Sequence, residues 1–153
     1  MHICSCSLQD DSPTYPLTSK LPMFKKFRTH LSEFISRLIS AAADTGALYT
    51  SELMAIIQTW VVAMSSSQIR SFRHTATAVA LEMEAALCDV AKGIDKEVEV
   101  VGRQREGEKK KRAKGSAKTT SARDKELEKK AKEIRSRKGK VEEYLKEFIN
   151  TYA

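Results

Sequence analysis

Six cationic side chains, Lys109, Lys110, Lys111, Arg112, Lys114 and Lys118, stand within ten residues, with no large apolar or aromatic side chain among them. Ammonium and guanidinium groups in such a run neutralise phosphates by displacing condensed counterions, but they offer little means of reading base edges. No Phe, Tyr or Trp occurs between Lys92 and Lys140, which disfavours stacking on single strands. The chemistry these residues supply is therefore non-sequence-specific contact with double-stranded DNA. The run at 109–114 reads equally as a nuclear import signal, and a charge run is by default solvated surface. Its place in the whole chain adds weight. Residues 92–140 hold 19 Lys or Arg against 9 Asp or Glu, a balance of +10, while the remainder carries −3 of the net +7.

No second chemistry competes with it. His74 has no Ser or Cys nucleophile and supporting acid in any recognisable arrangement, and a structural hydrogen-bonding role fits it better. Glu82 and Glu84 are too isolated for a carboxylate pair. Cys4, Cys6 and Cys88 match neither a disulfide framework nor a zinc site. The glycines at 93, 102, 107 and 115 form no phosphate-cradling loop. The reading is of a chain with no catalytic residue, metal, cofactor or small-molecule substrate. No apolar run is long enough to span a membrane and no secretory signal is evident, so a reducing compartment and no membrane partner are expected.

The elements that position these residues are all helical. Pro13, Pro16 and Pro22 among Ser, Thr and Asp mark residues 1–23 as a disordered lead-in. A first helix over about 24–43 places Phe27, Leu31, Phe34, Ile35, Leu38 and Ile39 on one face, and Gly46 suits a left-handed cap after it. Thr50 or Ser51 is placed to cap a second helix, where Leu53, Met54, Ile56, Ile57, Trp60, Val61 and Met64 make a wide apolar surface. Trp60 reads there as core. A third helix opens with Ser65 as cap and Gln68 reaching back, as in a capping box. Ile69, Phe72, Ala76, Val79, Met83, Leu87 and Val90 then recur at steps of three and four. This stripe predicts Phe72 buried against Leu53, Ile57 or Trp60, and Cys88 as a small core residue.

Beyond residue 91 the stripe thins, and a mobile tip is expected near 103–122. Ser121 with Asp124 is placed to cap a last helix, in which Leu127, Ala131, Ile134, Val141, Leu145, Phe148 and Tyr152 keep a heptad-like spacing that Lys138 interrupts. That seam suits one antiparallel partner, the extension of the third helix. The domains predicted are a lead-in at 1–23, a three-helix HEAT-like base at 24–93 and a basic antiparallel helical hairpin at 94–153. The fold class is all-α, a HEAT-like antiparallel helical repeat with a projecting basic hairpin.

The segment Ser67-Gln68-Ile69-Arg70-Ser71-Phe72-Arg73-His74-Thr75 opens that third helix. It resembles the Ser-Gln-(Val/Ile)-Arg-(Ala/Ser)-Phe-Arg-His-Thr segment near the start of the stromal antigen (STAG) family, the helical-repeat subunit of cohesin. Tyr15-Pro16-Leu17, Ser19-Lys20 and Phe24-Lys25-Lys26-Phe27 resemble the family's entry into the same region, in the same order. Ser67, Gln68, Arg70, Phe72, Arg73, His74 and Thr75 then read as family-motif residues of structural role. Arg70 and Arg73 are better suited to tying adjacent helices than to touching DNA or a partner.

The resemblance implies a nuclear, chromatin-associated scaffold acting in sister chromatid cohesion, with kleisin, other cohesin subunits and DNA as partners. The family's subunits are several times longer, so the chain reads as a truncated gene model or a fragment unable to bind kleisin unaided. An exposed apolar patch near the second helix or around Leu145, Phe148 and Tyr152, with self-association, follows from that expectation. The alternative class is a basic helical RNA- or ribosome-associated factor, or a generic helical adaptor. Such a protein has no reason to carry both the 67–77 segment and the 15–27 entry.

Overall fold

Helix α1 is Phe27–Asp44, α2 Ala47–Thr50, α3 Leu53–Ser65, α4 Arg70–Lys114 and α5 Ala122–Tyr152 in the computed structural model, which describes residues 14–114 and 122–152. A 3-10 turn at Pro22–Phe24 precedes them, and no strand occurs among the described residues. The fold is an all-α helical repeat. The chain divides into two compact units, Leu87–Asn150 and the remainder, and α4 contributes to both.

In the first unit α1 ends where the sequence places its end. Gly46 adopts φ 79°, a left-handed conformation that a Cβ would strain, and its N–H donates to the Ala43 carbonyl at 3.1 Å. Ile35 and Ile39 of α1, Leu48 of α2, Met54 and Val61 of α3, and Ala76, Ala80 and Met83 of α4 are buried. A small apolar space of about 30 Å³ remains among Ile35, Ile39, Leu48, Met54 and Met83. A polar link crosses from α1 to α4: the Ser32 hydroxyl donates to Glu82 Oε2 at 2.7 Å.

Three local expectations are corrected. Thr50 and Ser51 do not cap α3; their hydroxyls donate back to the Gly46 and Ala47 carbonyls, closing the short α2, and α3 starts after Glu52 without a side-chain cap. Ser65 does not cap α4 either. It still belongs to α3 and donates to the Val62 carbonyl, and Ser67 Oγ takes the Ile69 N–H at 3.1 Å instead. The third correction concerns the aromatic residues. Phe72 is 54 % exposed and Trp60 66 % exposed, as are much of Phe27 and Phe34. For Trp60 the cause lies in α3, which carries no charged side chain. Met54, Gln58 and Val61 bury one of its faces, while the opposite face, equally apolar, faces solvent.

In the second unit α4 and α5 run antiparallel. Arg137 Nη2 of α5 lies 3.1 Å from Glu97 of α4, Lys138 Nζ 2.6 Å from Asp95, and Arg123 Nε 3.8 Å from Glu108, so numbers rise on one helix as they fall on the other. Leu127, Ile134, Val141 and Phe148 are buried at steps of seven, with Leu87 and Ile94 buried on α4. A strict seven-residue recurrence is what keeps one seam facing one partner helix. Tyr144 is buried in that seam, whereas Leu145 is only half-buried and Lys138 sits beside the seam rather than in it. The Ser121 cap and the Tyr152 side chain lie outside the described residues.

Candidate nucleic-acid interface

The cationic residues of the second unit fall into two groups. Most of those along the paired helices are held by carboxylates one turn away or across the pair. Lys92 pairs with Asp89, Arg103 with Glu99, Lys130 with Glu126, Lys132 with Glu128 and Lys140 with Glu143, besides the cross-helix pairs of Arg137 and Lys138. The hydrogen bonds from Lys92 to Asp89, Lys138 to Asp95 and Lys140 to Glu143, reinforced by the charge of each carboxylate, hold these three ammoniums above the ordinary lysine value. Such groups stay cationic but are partly neutralised locally. Apart from the half-buried Arg137 and Lys138 these cations are exposed, so each such pair by itself adds little to stability.

Lys109 and Lys110 belong to the other group. Both are exposed on α4, and that helix continues through Lys114, so Lys109, Lys110, Lys111, Arg112 and Lys114 are successive positions on a helix rather than in a loop. At 3.6 residues per turn, backbone positions 109–112 step right around the axis. The cluster thus has no single preferred face. The side chains at 111–114 are not described, and Lys118 lies outside the described residues. Among the described residues no group of three or more His, Cys, Asp or Glu is placed to hold a metal, and no helix is long and apolar enough to cross a membrane.

The segment at 67–75 lies in the first unit and builds a different kind of site. Ser67 caps the first turn of α4 and its carbonyl accepts from Arg73 Nη1 at 3.2 Å, so Arg73 ties its own helix to the link after α3. Thr75 and His74 face Tyr15. The Tyr15 hydroxyl is 2.8 Å from Thr75 Oγ1 and 3.1 Å from His74 Nδ1, and it donates to the Ser71 carbonyl at 3.3 Å. The two rings meet edge to face with centroids 5.8 Å apart. Gln68 and Arg70 are exposed, as is Phe72. Sequence reasoning singled out Tyr15 only as part of the entry segment. Its role as the strap holding that segment to α4 has no periodic or compositional signature.

An all-α helical scaffold with a strapped helix start and a charge-laced antiparallel pair is what the geometry defines. Comparison with known proteins supplies the family. The family described as STAG domain matches residues 13–147. The chain is similar to cohesin subunit psc3 of Schizosaccharomyces pombe, 40% identical over 96 residues, covering 63% of this chain and 10% of that protein. It is similar to cohesin subunit SA-1 of Xenopus laevis at 37% over 102 residues, 67% of this chain and 8% of that one. Cohesin subunit scc-3 of Caenorhabditis elegans is 37% identical over 109 residues, 71% and 10%. The chain belongs to the STAG family of cohesin subunits. It spans about a tenth of the length of these relatives.

Proposed function

We propose that this chain acts as a non-catalytic, nuclear, chromatin-associated scaffold element of the cohesin complex in sister chromatid cohesion, and that its basic segment contacts duplex DNA without sequence preference. The observation that carries the cohesin reading is the STAG-domain match over residues 13–147. Support for the DNA contact comes from the charge: a balance of +10 concentrated in residues 92–140, with many cations of the paired helices, Arg137 and Lys138 among them, matched by carboxylates and those from Lys109 onward set in a run without acids up to Lys118. Kleisin and other cohesin subunits are the protein partners that the family implies.

Titration of the chain onto fluorescent duplexes of unrelated sequence tests the DNA contact. Replacing Lys109, Lys110, Lys111, Arg112 and Lys114 by Ala weakens binding equally for every duplex. It also lowers the logarithmic salt slope by about 0.9 for each phosphate that the variant no longer neutralises. An unchanged affinity and slope refutes the contact. Co-purification with a kleisin fragment, done in parallel with the same variant, tests the scaffold reading separately, and the variant is expected to retain whatever kleisin binding the parent has.

A further inference from the structure

We propose that Gly93 of α4 and Gly139 of α5 make a paired hinge within the second unit, at which the far part of the antiparallel pair, 94–114 with 122–138, bends on the near part, 87–92 with 140–150. The inference stands whether or not the basic run contacts DNA. Both glycines lie inside long helices, and neither has a positive φ. A Cβ built at either position meets nothing within 4 Å, so neither close packing nor backbone conformation calls for glycine there. Each therefore weakens its own helix relative to alanine, with no compensating contact.

Their placement across the pair gives that weakness a use. Lys138 Nζ lies 2.6 Å from Asp95 and Arg137 Nη2 3.1 Å from Glu97, which fixes the register of the two helices. Gly93 stands two residues before Asp95 and Gly139 one residue after Lys138, so the two glycines fall at nearly the same level. Helices packed side by side bend easily only where both yield, because a stiff partner splints its neighbour. Gly102 supplies the contrast. A Cβ there also meets nothing, but the α5 residues level with it are Ala131 and Lys132.

Packing falls away on the far side of that level. On the near side Leu87, Val141, Tyr144 and Phe148 are buried in the seam. Beyond Ile94 no apolar residue of α4 is buried among the described residues, although Leu127 and Ile134 of α5 stay covered. Val98 and Val100 are exposed, and a groove of about 460 Å³ opens between the helices, lined by Val100, Val101, Ile134 and Arg137 among others. Sparse apolar contact is what lets part of a structure open while the rest holds. Bending at the glycine level carries the far end, with Lys109 and Lys110, through an arc while the near seam stays packed.

The test uses the full chain with two readouts. Spin labels on non-natural side chains at the exposed positions of Glu106 and Lys146, one on each side of the hinge, report the spread of distances between the two parts. Amide hydrogen exchange reports local opening. Gly93→Ala and Gly139→Ala are each expected to narrow the distance distribution, and the double variant to narrow it little further. Gly93→Ala is expected to slow exchange about fivefold around residue 93, the ratio that the alanine preference corresponds to, and also around residue 139 on the other helix. Gly102→Ala should slow exchange around residue 102 alone and leave the distribution as broad as in the parent. A parent distribution as narrow as that of the double variant overturns the hinge. So does exchange at residue 139 that ignores Gly93→Ala, or a Gly102→Ala variant that narrows the distribution as much as the hinge variants do.

Discussion

Tyr15 and Thr75, sixty residues apart, bring their hydroxyl oxygens to 2.8 Å, and the same phenol reaches His74 Nδ1 and the Ser71 carbonyl. One ring thereby fastens the segment entering the fold to the opening turn of α4. His74 and Thr75, both in the segment that resembles the STAG signature, take part in this contact. Their identity follows from a local requirement: two polar groups, one turn inward from the helix start, aimed at one phenol.

Tyr15→Phe removes the hydroxyl and keeps the ring. It leaves the Thr75 hydroxyl and the Ser71 carbonyl without that partner in a half-buried position. The expected loss is about 1 kcal/mol, read from urea unfolding with an unchanged m value. A loss below the measurement error shows that water replaces the phenol without penalty and that the ring alone holds the strap.

Two apolar truncations should separate the covered from the uncovered face. Leu48 is 1% exposed and sits among Ile35, Ile39, Met54 and Met83, so Leu48→Ala is expected to cost about 2–5 kcal/mol. Phe72→Ala removes a larger side chain from a half-exposed site and is expected to cost about 1 kcal/mol or less. Thermal melts of the two variants beside the parent decide it. The reverse order would place Phe72 in the core after all.

What the sequence made legible is tied to features with a period or a fixed backbone demand. The steps of three and four located Met83, Leu87 and Ala76 in the core, the seven-residue step located Leu127, Ile134, Val141 and Phe148, and Gly46 announced its left-handed turn. Periodicity fails where it is degenerate. Every face of α3 is apolar, so spacing alone does not distinguish Met54 and Val61, which are buried, from Trp60 and Ile56, which are not. Tyr144 against Leu145 is a related case, since both fit a stripe that drifts around an ideal helix. Caps failed for another reason. Successive Ser and Thr residues each offer a hydroxyl, and back-bonding to a preceding carbonyl competes with capping the next helix. The basic cluster was legible as composition, and its helical setting up to Lys114 was not, because runs of like charge carry no period at all.

The Ser32–Glu82 bond is a polar tie between α1 and α4 in the first unit. A hydroxyl donating to a half-buried carboxylate is worth more than a neutral pair, about 1.5–3 kcal/mol by the usual range for charged partners, with exposure pulling it toward the lower end. Ser32→Ala and Glu82→Ala, with the double variant, make a cycle. The expected coupling is about 1.5 kcal/mol, and additive effects would show that the two side chains are merely adjacent.

The pairing of α4 with α5 should have an alkaline limit set partly by Lys138. Its hydrogen bond to Asp95, and then the carboxylate's charge, raise its folded pKa above the ordinary 10.5. A raised lysine value means the folded state holds the proton more tightly than the unfolded chain. The stabilisation is therefore fully present below the ordinary value and disappears as pH rises through the raised one. Lys138→Met keeps the aliphatic stem and removes the charge. At neutral pH and low salt the variant is expected to melt slightly below the parent, with the gap narrowing in high salt because the pair is exposed. At strongly alkaline pH the two melting curves should converge, the other raised lysines, Lys92 and Lys140, titrating alike in both chains and cancelling in the difference. A variant more stable than its parent at every pH would mean that Lys138 is instead a polar flaw beside the helix seam, tolerated rather than used.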